Sequence, residues 1–168
     1  MIVPIFGCPG SGKSTLGDRL AKNFGYPFFE LSWMPEFRIM NGKKISYEEE
    51  EKIAVSALLG VAKTYCEYGH KIVLVSNFRL NSLDLVMNSI GIATPVIKLI
   101  ASDDDILRTR VINNSRSSFY RNAEEALHLN EKISIANFEN QISIDVTKSS
   151  LETEIKLVLE FVNSFQNI

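Results

Sequence analysis

Residues 7–14 read Gly-Cys-Pro-Gly-Ser-Gly-Lys-Ser and match the spacing G-x-x-x-x-G-K-[ST], which is typical of a loop that binds phosphate. Glycines let the backbone turn tightly, so several N–H groups can point at the same phosphate oxygens. In such a loop Lys13 reaches the β- and γ-phosphates and the Ser14 hydroxyl binds Mg²⁺. The residues predicted to contact the nucleotide are Gly7, Cys8, Pro9, Gly10, Ser11, Gly12, Lys13, Ser14 and Thr15.

The segments on either side of this loop are those that the motif requires. An apolar run at residues 2–6 predicts a buried strand before it. Leu16, Leu20 and Phe24 follow at four-residue spacing and predict a helix from Lys13 to about Phe24. The positive N-terminal end of that helix would point at the bound anion, which supports the assignment of the loop.

Apolar runs rich in β-branched and aromatic residues predict five strands, at residues 2–6, 27–31, 71–75, 96–101 and 142–146. Helix-length segments lie between them. Capping residues predict helix starts at Ser46, within residues 102–105 and at Ser149, and Gly69 predicts the end of the helix that Ser46 begins. Alternating strands and helices indicate an α/β fold, a three-layer parallel sheet with helices on both faces. Pro4 lacks an N–H, so we expect a bulge or an unpaired position there.

Composition indicates one ordinary globular domain over residues 1–168. The chain has 168 residues, 45% of them hydrophobic, and a formal net charge of −2, which gives no general reason to expect nucleic-acid or membrane binding. Cys8 and Cys66 form no disulfide framework or metal spacing, as expected in a reducing cytoplasm. No apolar run approaches the length needed to cross a bilayer. We therefore expect a cytoplasmic protein, and its oligomeric state stays open.

With these elements the sequence resembles small P-loop kinases of the shikimate kinase, gluconate kinase and adenylate kinase group. The match is strong at residues 7–15. Residues 25–30 resemble the second strand of shikimate kinases, residues 107–110 with Arg116 resemble their lid, and residues 144–147 resemble their last strand and turn. The resemblance implies the P-loop fold with ATP and Mg²⁺ as cofactors, a lid at about residues 108–122 and an acceptor region at about residues 30–60.

The resemblance also implies roles for individual residues. Related kinases carry aspartates after the second strand, where this chain has Glu30 and Ser32, so Glu30 is the candidate base and Ser32 a departure. Lys13 and Arg116 would neutralise the transferring phosphate, as is usual in phosphoryl transfer. Arg108 and Arg110 are equal candidates for a further contact with the nucleotide, and Arg108 is the one assigned to it. A solvated basic face is the alternative for these arginines.

Several residues near the strand ends are candidates for binding the acceptor. Trp33 and Phe37 are suited to stack on a flat ring, with core packing as the alternative. Arg38 and Arg79 are suited to bind an anionic acceptor, with ordinary surface ion pairs as the alternative. The acceptor end should lie beyond the carboxyl ends of the strands, because ligands of open α/β sheets bind there.

Three functions follow from these residues. The first is an ATP- and Mg²⁺-dependent kinase that phosphorylates a hydroxyl of a small molecule. The second is a nucleoside or nucleoside monophosphate kinase, which the absence of an Asp-Gly pair at residues 76–77 disfavours. The third is a nucleotide-binding switch or partner-regulated ATPase that has no small-molecule acceptor.

Overall fold

The computed structural model describes residues 1–37, 46–78, 82–91, 94–113 and 120–165. The strands are β1 (Ile2–Gly7), β2 (Phe28–Glu30), β3 (Val73–Ser76), β4 (Val96–Ile100) and β5 (Gln141–Asp145). The helices are α1 (Lys13–Phe24), α2 (Tyr47–Glu67), α3 (Leu83–Ile90), α4 (Asp104–Ile112), α5 (Ala123–Ile135) and α6 (Leu151–Ser164), and a 3₁₀ helix (Leu31–Phe37) follows β2. All five predicted strands are present, with ends shifted by at most two residues.

These strands form one parallel sheet in the order β2-β3-β1-β4-β5. Glu30 at the end of β2 is the register partner of Ser76 at the end of β3. Ser76 is in turn the partner of Ile5 in β1, two residues before the loop begins at Gly7. The order therefore places the phosphate-loop candidate beside the ends of β2 and β3, and confirms the predicted parallel sheet.

Successive residues of β1 face opposite sides of the sheet, and residues 2–6 are all buried, so the strand is buried on both faces. Val3 and Ile5 pack in a core cluster with residues of α1, α4, α5 and α6. Ile2 and Phe6 pack in a second cluster with residues of α2 and α3. The two clusters lie on the two faces of the sheet, so the predicted three-layer arrangement is confirmed.

Pro4 lies inside β1 without a bulge. The register to β3 runs unbroken through Pro4 and Val75. The ladder from β1 to β4 begins only at Ile5. The Met1 carbonyl accepts from the Val73 N–H of β3, and because successive residues of a strand direct their backbone groups to opposite neighbours, those of Pro4 point toward β4. Pro4 therefore faces the β4 side before that ladder starts, and its missing N–H removes no ladder bond.

The helix starts follow the predicted capping residues with one correction. Ser46 and Asp103 are the N-caps of α2 and α4, as expected. The prediction that Ser149 begins the last helix was wrong, because the N-cap of α6 is Ser150, whose hydroxyl accepts from the Thr153 N–H at 3.3 Å. Ser149 is thereby left to bind elsewhere. Within the described ranges no helix is both long and apolar enough to span a bilayer.

Candidate active site

The loop between β1 and α1 has the backbone shape of an anion cradle. Gly10 and Gly12 have φ angles of 89° and 88°, a left-handed conformation that residues with a Cβ rarely adopt. A Cβ on Gly10 would also lie 2.8 Å from the Val111 side chain of α4. The first N–H groups of α1 have no partner within the helix and follow directly from this turn.

Lys13 is folded onto the loop that precedes it. Its Nζ donates to the backbone oxygens of Gly7 and Cys8, each at 2.9 Å. The residue is only 7% exposed, so its ammonium is held at the loop and does not extend into solvent. This position places a positive charge where the loop would hold phosphate oxygens.

Glu30 gathers three hydroxyl groups at the carboxyl ends of β2 and β3. Ser14 donates to Glu30 Oε1, and Ser76, which is fully buried, donates to the same oxygen at 3.5 Å. Ser32 donates to the other oxygen, Oε2, at 3.5 Å. The structure thus brings together the predicted magnesium ligand, the predicted base and the residue that replaces the second family aspartate.

The Ser14 and Glu30 oxygens fit Mg²⁺. Hydroxyl and carboxylate oxygens are hard ligands, and protein-bound Mg²⁺ usually takes one or two carboxylates together with substrate phosphates. In the part of the chain that the structure describes, no group of three or more His, Cys, Asp or Glu residues forms a metal cage. Ser14 and Glu30, whose oxygens meet beside the phosphate loop, are residues that would hold the ion.

A cleft of about 830 Å³ runs across the loop and extends to both sides of it. Residues 9–15 of the loop and the start of α1 line it. On the side of β2 and β3 it is lined by Glu30, Ser32 and Asn77. On the side of β5 it is lined by Arg110, Asn113, Tyr120, Val146, Ser149, Leu151 and Glu154. The volume is in the range of sites that hold small ligands and cofactors.

Arg110, and not Arg108, faces this cleft. Arg110 Nη2 donates to the Val146 carbonyl at 2.9 Å, which fixes the guanidinium beside the turn after β5. Arg108 forms an ion pair with Glu124 at the start of α5 and is not among the residues that line the cleft. The structure thus separates two arginines that the sequence had left as equal candidates, and it does not bring the assigned one, Arg108, to the site.

The predicted acceptor residues are placed less completely. Trp33 is 45% exposed, packs edge-on against Phe28 and Phe29 with ring centroids 6.1 and 6.4 Å away, and is not among the residues that line the cleft. The backbone of Phe37 ends the 3₁₀ helix, and the structure does not describe its side chain. Arg38, Arg79 and Arg116 lie outside the described residues.

Asn77, Ser149 and Glu154 line the cleft but were not predicted as site residues. Asn77 follows β3 and has φ 69°, a left-handed conformation that asparagine tolerates better than most residues. Its position directly after a strand, at the edge where ligands of α/β sheets bind, is a signal that the sequence did contain. Glu154 had no such signal, because its helical position looks like any other in α6.

No family model and no curated protein matches the sequence of this chain. Its fold, however, resembles solved structures of sugar, gluconate, shikimate and deoxyadenosine kinases. A sugar kinase from Janibacter sp. HTCC2649 is 18% identical with a TM-score of 0.70, over 96% of this chain and 94% of that chain.

Two further matches have other acceptors in their names. Shikimate kinase from Acinetobacter baumannii, in complex with shikimate, is 15% identical with a TM-score of 0.59, over 97% of this chain and 93% of that chain. Deoxyadenosine kinase from M. mycoides is 18% identical with a TM-score of 0.54, over 98% of this chain and 100% of that chain. The chain therefore has the fold of the small P-loop kinases, as the resemblance in sequence predicted.

Proposed function

We propose that this protein is a phosphotransferase that moves the terminal phosphate of a nucleoside triphosphate to a hydroxyl group of a small molecule. The observation that carries the proposal is the contact between Ser14 of the phosphate loop and the Glu30 carboxylate within one cleft. A carboxylate at that point can serve both a metal ion beside the transferring phosphate and the proton of an acceptor hydroxyl. The fold shared with kinases of several small acceptors supports the same function.

The loop and Lys13 form the donor site in this proposal. The α1 N–H groups and the Lys13 ammonium bind and neutralise phosphate oxygens, which is the main contribution of a protein to phosphoryl transfer. Arg110 lies on the β5 side of the same cleft and contributes a second cation near the nucleotide. Arg116 remains a predicted lid residue. The resemblance implies that ATP is the phosphate donor, and GTP is the alternative donor.

In this proposal the two oxygens of Glu30 have different roles. Oε1 accepts from Ser14 and Ser76 and lies on the side where Mg²⁺ would be held. When bound, Mg²⁺ neutralises charge on the phosphate oxygens. Oε2, approached by Ser32, accepts the proton of the acceptor hydroxyl while that oxygen forms its bond to the γ-phosphorus. The bond from that phosphorus to the β-phosphate oxygen breaks, and the nucleoside diphosphate leaves.

Transfer of labelled phosphate tests the proposal directly. The full-length chain with Mg²⁺ and γ-labelled ATP or GTP is incubated with a panel of sugars, sugar acids, polyols, nucleosides and nucleoside monophosphates. We expect label on one class of acceptor, and a loss of about 100-fold or more in Lys13→Ala. Label on a nucleoside or its monophosphate would select the second hypothesis. Hydrolysis without any labelled acceptor, or transfer unchanged in Lys13→Ala, would overturn the proposal.

A further inference from the structure

The two sides of the cleft have different roles if the proposed function holds, and the inference below rests on it. Ser14 and Glu30 mark the position of the transferring phosphate, on the side of β2 and β3. A nucleotide whose terminal phosphate lies there must extend its nucleoside the other way across the loop. The base therefore lies on the β5 side, among Arg110, Val146 and Glu154.

Glu154 is an unusual residue to find on that side. It lines the cleft, yet the residue is only 7% exposed. Buried carboxylates are rare in proteins unless they are paired or bind a ligand. Within the described ranges its carboxylate receives one hydrogen bond, from the Ser149 hydroxyl to Oε1 at 2.9 Å. That leaves Oε2 without a hydrogen-bond donor from that part of the chain.

The surroundings of Glu154 hold it in place and partly compensate its charge. Ser149 is free to orient it because Ser150, and not Ser149, caps α6. Ser149 also donates to the Asp145 carbonyl at 2.8 Å, which ties this hydroxyl to the end of β5. Burial raises the pKa of Glu154, while the Ser149 hydrogen bond and the charge of Arg110 act in the opposite direction. Ser149 and Arg110 thus offset part of the cost of burying this carboxylate on the side of the cleft where the nucleobase would lie.

A fixed carboxylate distinguishes the purines by their donors. Guanine presents two neighbouring donors, the N1–H and the 2-amino group, and both can donate to one carboxylate. Adenine presents a lone pair at N1, which a carboxylate repels, beside its single amino group. We propose that Glu154, oriented by Ser149, recognises the base of the bound nucleotide and makes the donor site prefer guanine to adenine.

Calorimetry of the full chain with nucleoside diphosphates and Mg²⁺ tests this inference. These probes lack the γ-phosphate that the proposed reaction transfers. GDP, IDP, XDP and ADP are the probes, because IDP lacks the 2-amino group and XDP replaces it with an oxygen. We expect GDP to bind about 10-fold or more tightly than ADP, with IDP between them and XDP weaker than IDP. Equal or tighter binding of ADP would overturn the inference.

Two variants assign the preference to Glu154. In Glu154→Gln the ratio of GDP to ADP affinity should fall to about threefold or less, and XDP should gain affinity because the amide N–H can donate to its 2-oxygen. Glu152→Gln, an exposed glutamate in the same helical turn, is the matched control and should keep the wild-type ratio. An unchanged ratio in a folded Glu154→Gln would overturn the role of Glu154.

Other outcomes separate the inference from the proposed function. If no diphosphate binds, the nucleotide site itself fails and both proposals fall. If ADP binds as tightly as GDP and Lys13→Ala weakens both, the donor site stands and only the base preference is wrong. If Glu154→Gln does not fold, the order of GDP, IDP and XDP in the wild-type protein still decides, because XDP binding as tightly as GDP excludes a carboxylate at that edge.

Discussion

The Glu30 carboxylate is the residue on which the proposed chemistry depends most. Replacing it by Gln keeps its size but removes the base and the charge beside Ser14. We expect Glu30→Gln to lower kcat by about 100-fold or more, which is the usual contribution of a positioned base. Ser32→Ala, which removes one hydrogen bond to Oε2, should have a smaller effect. Steady-state kinetics with the identified acceptor measures both, and a Glu30→Gln kcat within threefold of wild type would exclude Glu30 as base.

The stability of variants at position 77 should depend more on whether the new residue tolerates the backbone conformation of Asn77 than on its side chain. Its φ of 69° is left-handed, which costs an ordinary residue about 1–2 kcal/mol. Asn77→Gly and Asn77→Ala both remove the amide, so their difference isolates the backbone effect. We expect the Ala variant to be less stable than the Gly variant by about 1 kcal/mol in urea denaturation. Equal stability of the two would show that the left-handed conformation is not maintained.

The loop residues could be predicted from sequence because a single local motif contains them all. The choice between Arg108 and Arg110 could not. Residues that are two positions apart on a helix are separated by a rotation of about 200° around its axis, so the two arginines point in nearly opposite directions. Which of them faces the cleft depends on how α4 packs through Val111 and Leu107 on the sheet, and that packing is a property of the tertiary structure.

At the scale of elements, two helical glycines provide a matched test of packing. In the interior of a helix, Ala is normally about 1 kcal/mol more stable than Gly. A Cβ on Gly17 in α1 would lie 2.4 Å from the ring of Phe28 in β2, whereas a Cβ on Gly60 in α2 would meet nothing within 4 Å. We therefore expect Gly17→Ala to destabilise the protein by about 1–3 kcal/mol and Gly60→Ala to stabilise it by about 0.5–1 kcal/mol.

Thermal or urea denaturation of the two glycine variants and the wild type measures both changes under one condition. A stabilised Gly17→Ala would mean that α1 and β2 are not in close contact. That contact matters for function, because α1 carries Ser14 and β2 carries Glu30.

The turn after β5 is held by Asp145. Burial alone would raise the pKa of Asp145, but hydrogen bonds from Ser102 and Thr147 outweigh it and hold the pKa well below its usual range. The folded state thus binds fewer protons than the unfolded state, and this contribution to stability is present above the unfolded pKa of about 3.9. It is lost as the pH falls through the folded pKa.

We expect Asp145→Asn to lower the free energy of unfolding by about 1–2 kcal/mol at pH 7, because hydrogen bonds to a charged acceptor are worth more than neutral ones. The difference from wild type should shrink as the pH falls below about 3.9, since Asp145 is then protonated in the unfolded state. Asp105→Asn, at an exposed position in α4, is the control. Urea denaturation at several pH values measures the difference, and one that does not change with pH would contradict the assignment.

The elements themselves were largely predictable, because the hydrophobic patterns of the five strands and of α1, α2 and α6 are local. The start of α6 was not, since Ser149 and Ser150 are equally good capping residues by composition. In the structure Ser150 caps the helix, and the Ser149 hydroxyl donates to the Asp145 carbonyl and to the Glu154 carboxylate. Because the helix begins one residue later than predicted, Ser149 lines the cleft and does not cap α6. The capping preference of serine does not decide which of the two serines is the cap.

At the scale of the whole molecule, the cleft depends on a strand order that no local pattern contains. Placing β1 between β3 and β4, with β2 beyond β3, brings the phosphate loop beside Glu30 and Ser76. The same order places β5 on the far side of β4, where Arg110 and Glu154 complete the other half. The sequence could predict a parallel sheet with helices on both faces, and therefore the edge at which a ligand binds, but not which side chains meet there.

Since residues from α1, β2, α4 and α6 line one cleft, a ligand that binds it should stabilise the whole fold. A nucleotide at 100 times its Kd stabilises the native state by about 2.7 kcal/mol. For a chain of this size we expect a rise in Tm of about 5–10 °C with Mg²⁺ and the preferred nucleoside diphosphate, and a smaller rise in EDTA. Lys13→Ala should abolish most of it, whereas Lys22→Ala, at the exposed end of the same helix, should leave it intact. Differential scanning fluorimetry measures the shift, and an equal rise in Lys13→Ala would place the nucleotide outside the loop.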